Sequence, residues 1–274
     1  MRWDLFWVQE YDLPEGVGFP HFGAVHIASM LVLAVLLVLT VRFFRRLDAA
    51  KKERLLRGIP VGMLCMELFK DGYLIRVGHF GIGYLPLHLC SFGILVFLLA
   101  AYLPEGRGRE AFTEIAQVLI LPGSAAAILM PDWNMYPVWS FMNLYSWFWH
   151  LLLVAWPVLA YEGRGIKPRL RHFAYPVLFL CAIVPPVYLL DRKLRCNYLF
   201  INWPPAGTPL VLLEKWLGNP GYLAGYAALV LIILLVVYGC WSRVSQRTCP
   251  PDSLNGIRDG KVYRRKQRSM GGGF

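Results

Sequence analysis

An all-α membrane bundle is the fold class this sequence predicts: seven transmembrane helices, with the amino terminus outside and the carboxyl end in the cytoplasm. Three observations predict it. The 274 residues are 57% hydrophobic and only 16% charged, a balance that makes lipid the natural solvent for most of the chain. Seven runs come close to the roughly 20 apolar residues that cross a bilayer at about 1.5 Å per residue. Three strongly basic segments, two loops and the carboxyl tail, all fall on one side of such a bundle, the side that the positive-inside rule assigns to the cytoplasm.

Residues 1–21 come first. They carry Asp4, Glu10, Asp12 and Glu15, lack the short apolar core of a cleavable signal peptide, and read as an outer segment that is not removed. The first run, 22–44, is apolar throughout and ends at the basic segment RRLDAAKKERLLR. The second, 55–74, is interrupted by Glu67, Lys70 and Asp71. The third covers 82–103. The fourth, 111–130, holds Glu114, Gln117, Pro122 and Gly123, and the turn PDWNMYP that follows it carries a single acid. The fifth run, 138–161, leads into the basic loop EGRGIKPRLRH. The sixth, 173–190, contains Pro185 and Pro186, which predict a kink. Residues 191–220 form a long, aromatic outer loop that reads as a lid folded back over the bundle, since a loop of that length and apolar content does not extend into water. The seventh run, 221–241, closes the transmembrane domain, 22–241. The tail, 242–274, contains Arg243, Arg247, Arg258, Lys261, Arg264, Arg265, Lys266 and Arg268; from Pro250 onward its Gly, Pro, Ser and basic content reads as disorder. No repeat and no flexible linker divides the chain, so one bundle is the economical organisation.

The formal charge of +11 would suggest nucleic acid in a soluble protein. Here the cations lie between apolar runs and read as topology signals and contacts to lipid phosphate, so no nucleic-acid partner is expected. The six cysteines have neither CxxC nor metal-ligand spacing. No disulfide framework, metal or cofactor is expected.

Ionisable groups at membrane depth are costly and become functional candidates unless a structural partner explains them. Glu67 and Lys70 lie three residues apart on one helix face, and either neutralise each other or serve a site. His88 and Cys90 stand near the start of the third run, and His150 inside the fifth. Counted from the outer ends, Glu67 and His88 fall roughly 10 Å deep, Cys90 about 14 Å and His150 about 20 Å, with Asn143 at about 9 Å. Together with Asn197 and Asn202 in the outer loop above, they suggest a polar pocket opening outward. A Cys beside a His suggests an activated thiol that forms a thioester with an acyl donor. Residues two apart on a helix point about 200° apart, so His88 is a poor base for Cys90 while both are helical. Three arrangements remain: His150 serves Cys90; Pro86 unwinds the helix start; or Cys90 only packs while His88 activates water or a hydroxyl.

LPLHLCS at 85–91, the acid Glu67 upstream, LPGSAAAILMPD at 121–132, the mid-helix His150 and CNYLFI at 196–201 together resemble the YwaF-like bacterial integral membrane proteins. That family is similar to the eukaryotic transmembrane protein 164, an acyltransferase of ether phospholipids with a membrane-embedded cysteine. The resemblance implies an enzyme of a bacterial plasma membrane that moves an acyl chain between phospholipids or lysophospholipids through an acyl-cysteine, with a histidine as base. Cys90, His88 and His150 are then the catalytic candidates. Glu67, Lys70, Asn143 and Asn197 support the polar pocket, Glu67 by orienting a histidine or settling Lys70. Asn143, or a backbone amide near Pro86, would hold the oxyanion.

Two other classes compete. In a proton-coupled transporter, Glu67, Lys70, His88, Glu114 and His150 would line a path, although no inverted repeat or matching pair of broken helices is present. In a non-catalytic protein, the outer loop would hold a lipid. Acyl length, headgroup and oligomeric state are not written in the sequence.

Overall fold

The computed structural model describes residues 3–205 and 208–247, and among them the regular structure is entirely helical. The helices are α1 (Ala24–Arg45), α2 (Ala49–Arg76), α3 (Leu89–Tyr102), α4 (Arg107–Ile115), α5 (Leu121–Leu129), α6 (Phe141–Arg164), α7 (Ala174–Leu194), α8 (Leu210–Leu217) and α9 (Tyr222–Arg247). Among the described residues six passages are long and apolar enough to cross a membrane: Ala24–Arg45, Ile82–Tyr102, Arg107–Leu129, Phe141–Arg164, Leu170–Leu194 and Tyr222–Arg243. The chain is therefore a multi-pass membrane bundle. The second expected span is helical over 28 residues, long enough at about 42 Å. Its charges exclude it from the six.

Proline explains three departures from plain helices. Pro86 cannot donate and pushes Leu85 into extended backbone (φ −60, ψ 140). The expected third helix is thus broken: a 3₁₀ turn at Ile82–Tyr84 is followed by non-helical chain up to His88. In the fourth passage Pro122 sits just beyond a π-helical segment, Ala116–Ile120, that joins α4 to α5. The wider turn accommodates a residue with no N–H, and Leu121 N–H reaches back to Ala116 C=O. In α2, Pro60 leaves the Leu56 carbonyl without its helical partner, and the Trp156 indole N–H takes it at 2.8 Å.

The central helix is α6, which packs against α1, α2, α3 and α5. Trp156 stacks on Phe97 with centroids 4.4 Å apart, at the heart of a core that also holds Ile120, Leu153 and Leu159. By contrast α1 turns Leu31, Val35 and Leu39 outward, as a helix facing hydrocarbon does.

Contacts sort the bundle into two ends. At the basic end Arg45 pairs with Glu162 at 2.6 Å. Nearby, Arg164 pairs with Glu53 at 3.0 Å and donates to the Ala100 carbonyl at 2.7 Å, capping the last turn of α3. At the amino-terminal end Phe19 N–H donates to the Asn134 carbonyl at 2.9 Å, and the Asn134 amide returns a bond to Phe19 C=O at 3.0 Å. Gly18 is required there, because a Cβ would lie 2.4 Å from the Asn134 oxygen.

The described part of the loop over 191–220 is built rather than loose. It contains a 3₁₀ turn at Tyr198–Phe200 and α8, which packs on α9. The last helix runs to Arg247, past the expected end at residue 241. The remainder of the tail expected to be disordered, 248–274, lies outside the described residues.

Candidate active site

The break at Pro86 creates the site. His88 is the N-cap of α3 in extended backbone (φ −76, ψ 156), and its carbonyl accepts from Ser91 N–H and Phe92 N–H at 3.0 Å each. The amides of Leu89 and Cys90 open the helix and have no acceptor within it. Cys90 therefore sits in the first helical turn, beside backbone N–H groups that the helix leaves free.

Helix packing sets what Cys90 faces. A Cβ on Gly93 would lie 2.5 Å from Leu153 Cδ2, so α3 and α6 approach closely at this pair. Both helices run from the amino-terminal end toward the basic end. Cys90 precedes Gly93 by three residues and His150 precedes Leu153 by three. Each is about one turn nearer the amino-terminal end of its helix, so the two lie at a similar level, each turned about 60° from its contacting residue. The depths counted from the sequence separated them by about 6 Å.

His150 is 6% exposed. Its Nδ1 lies 2.8 Å from the Ser146 carbonyl, an acceptor, so Nδ1 carries the proton and Nε2 keeps its lone pair. Nε2 is buried and has no hydrogen-bond partner among the described residues. Trp133 stacks on the ring at 4.4 Å and fixes its plane.

Asp132, beside Trp133, is the residue that sequence reasoning missed. It is exposed, and its neighbour Trp133 carries the ring that stacks on His150. The turn bearing it is held by two histidines that sequence reasoning also passed over. His21 Nε2 bonds the Pro131 carbonyl at 3.0 Å and His26 Nε2 the Ile128 carbonyl at 2.9 Å. Asp132 closes the quoted LPGSAAAILMPD segment, yet in sequence it is only one loop acid among several.

A cap covers His88. The Tyr198 ring meets it edge-on at 4.9 Å and Phe200 lies at 5.8 Å. Burial first, and the neighbouring Cys196, push the Tyr198 hydroxyl up to about 12, so it stays protonated and donates to the Ile82 carbonyl. Leu199 and Phe200 adopt φ of 56° and 57°, a left-handed conformation costing roughly 1–2 kcal/mol per residue. Tyr226 and Tyr222 hold it by donating to their carbonyls at 3.2 and 3.0 Å.

The supporting residues divide. Glu67 pairs with Lys70 at 2.8 Å and accepts from the Tyr145 hydroxyl at 2.6 Å; among the described contacts it settles Lys70 and meets no histidine. Asn143 spends its amide on the Val138 carbonyl at 2.7 Å, closing the start of α6. Asn197 braces the cap, donating to Trp203 C=O and accepting from Asn202 and Trp203 N–H. Glu114 lies at the basic end, bound to His172 at 2.6 Å.

A model of the TMEM164 family matches residues 21–238. No curated protein matches the chain, and neither does any solved structure. The match runs from the first histidine of the Asp132 turn almost to the end of the last apolar passage, and on it the chain belongs to the TMEM164 family.

Proposed function

We propose that this protein is a membrane-embedded acyltransferase acting on phospholipids or lysophospholipids, with Cys90 as nucleophile and His150 as base. The observation that carries the reading is the buried His150 Nε2, which has no partner among the described residues; the close approach of Gly93 to Leu153 supports a similar level for Cys90 and His150. Cys90 gives its thiol proton to His150 Nε2 and attacks the ester carbonyl of the donor lipid. The Leu89 and Cys90 amides meet the oxyanion. The ester C–O bond breaks and the leaving alkoxide takes the proton from His150, leaving a thioester on Cys90. The hydroxyl of an acceptor lysolipid then gives its proton to His150, attacks the thioester and frees the thiol. His88, under Tyr198 and Phe200, contacts the lipid headgroup.

All seven long helical passages span the bilayer in this reading, α2 included, because Glu67 and Lys70 neutralise each other inside the bundle. The amino terminus lies outside and the basic end in the cytoplasm of a bacterial plasma membrane, which opens the site to the outer half of the bilayer. Transport is the weaker reading: the Glu114–His172 pair is separated from His150 by the core around Ile120, Leu153 and Trp156.

The test is lipid mass spectrometry of the purified protein in nanodiscs, with a defined phospholipid and a lysophospholipid. Wild type is expected to form re-acylated product and an acyl adduct on Cys90. Cys90→Ala abolishes both and His150→Gln slows adduct formation. Undiminished transfer by Cys90→Ala would remove the thioester route.

A further inference from the structure

On the outside of the bundle a groove of about 440 Å³ opens between α2 and α6. Cys65 and Phe69 of α2 form one wall, and Phe141, Leu144 and Phe148 of α6 the other, with Phe6 at the upper end. That end is closed by structure: Phe141 N–H donates to the Phe6 carbonyl at 2.7 Å. The Trp7 ring packs at 5.0 Å from Phe141 and 4.7 Å from Tyr73. Tyr145 also lines the groove, but its hydroxyl is committed to Glu67. No charged side chain lines it.

We propose that this groove binds one acyl chain of a membrane lipid, at a place separate from the Cys90–His150 site. The groove is continuous with the lipid-facing surface, where Leu68, Phe69 and Phe148 are exposed. Its roof keeps out a headgroup or an aqueous solute from the amino-terminal end, so the occupant enters sideways from the hydrocarbon. Its volume argues against a helix of a second copy. A helix about 10–12 Å across would fill roughly 1,000 Å³ over the about 10 Å of axis from Phe141 to Phe148. Tyr145 and His150 lie about 140° apart around α6, so the groove and the site use different faces of one helix. Transfer of a chain from lipid to protein brings no hydrophobic gain, since lipid tails are as apolar as leucine. Retention rests on close packing against the aromatic walls, which makes binding selective for the groove over the open helix faces.

The experiment uses the full chain in phosphatidylcholine nanodiscs doped with a phosphatidylcholine carrying a diazirine in mid-chain. It is irradiated and its adducts mapped by peptide mass spectrometry. Adducts on Cys65, Met66, Phe69, Leu144 and Phe148 are expected to exceed those on Leu31, Val35 and Leu39 of α1 severalfold. Leu144→Trp, which fills the groove, brings them down to the α1 level, while Leu31→Trp leaves them unchanged. Cys65→Phe, filling from the opposite wall, does the same as Leu144→Trp and guards against a folding defect in one variant. Equal labelling of both surfaces in wild type overturns the proposal, as do adducts that survive both groove-filling variants. A Cys65 cross-link to a second copy also overturns it. None of these readouts needs turnover, so the outcome is independent of the acyl-transfer reading.

Discussion

Gly93→Ala tests the claim that one close helix approach sets the level of Cys90 against His150. The new Cβ would meet Leu153 Cδ2 at 2.5 Å and Ile120 Cγ2 at 3.4 Å. An ordinary contact is about 3.5–4.0 Å, so roughly 1 Å of relief is needed. Leu153 and Ile120 are buried in the central core, where side chains have little room to yield. Overpacking of this kind costs about 1–3 kcal/mol, against which alanine returns about 0.8–1.0 kcal/mol of helix propensity over glycine. The net expectation is a loss of up to about 2 kcal/mol. Leu153→Ala alone costs about 2–5 kcal/mol by leaving a cavity. In that background the clash vanishes, the cavity shrinks and the propensity gain remains, so Gly93→Ala becomes stabilising. The two substitutions should couple by about 1–3 kcal/mol. Thermal or denaturant unfolding of the four variants in one detergent measures this, with thiol-adduct formation followed in parallel. If the energies add within about 0.5 kcal/mol, the helices do not meet at this pair, and the argument for the register of Cys90 and His150 falls with it.

Other residues offer independent checks. Trp156→Phe keeps a ring beside Phe97 but leaves the buried Leu56 carbonyl unpaired; a loss of about 1–3 kcal/mol is expected, and Pro60→Ala restores part of it by returning an N–H to α2. Lys70→Met strands Glu67 and Asp71, both of which Lys70 meets, at 2.8 and 3.2 Å, and costs about 3–5 kcal/mol; Glu67→Gln with Lys70→Met recovers part of that, Asp71 still lacking its cation, and a double variant as unstable as the single one would refute the Glu67–Lys70 pairing. The side chain and then the backbone N–H of Lys51 hold the Asp48 carboxyl below the usual carboxylate range. The depressed folded value means that this cap helps above the ordinary carboxylate range and weakens as pH falls through the depressed value. Amide protection factors at 49–52, which divide out the intrinsic pH dependence of exchange, should therefore fall at low pH in wild type, and Asp48→Asn should flatten that dependence.

Legibility differed by residue. LPLHLC could be read for its residue types, and Pro86 for the chance of unwinding, but the consequence for Cys90 depended on where α3 restarts. Asp132 was invisible because an exposed acid in a turn looks like any other until His21, His26 and Asn134 hold that turn against α1 and the amino-terminal segment. Asn143 and Asn197 looked like pocket residues in a linear reading; the Asn143 amide N–H goes to the Val138 carbonyl while its Oδ1 stays buried without a partner among the described residues, and Asn197 spends its polar atoms on neighbouring backbone, local choices that spacing alone does not reveal.

What the sequence by itself determined is the solvent and the scaffold. Backbone groups in hydrocarbon must be satisfied within a helix, so long apolar runs dictate helices of bilayer length. Cations between the runs and charges within them mark the exceptional stretches. Tertiary structure alone decided which polar groups neutralise each other and which are left to work. Glu67 and Lys70 were settled by Tyr145 on another helix, and His150 was left with an open Nε2 because Ser146 took its other nitrogen while no side chain from α3 did. The reason is physical: in a medium without water each buried polar atom takes whatever partner the packing brings, and contacts such as Gly93 against Leu153 decide which partners those are.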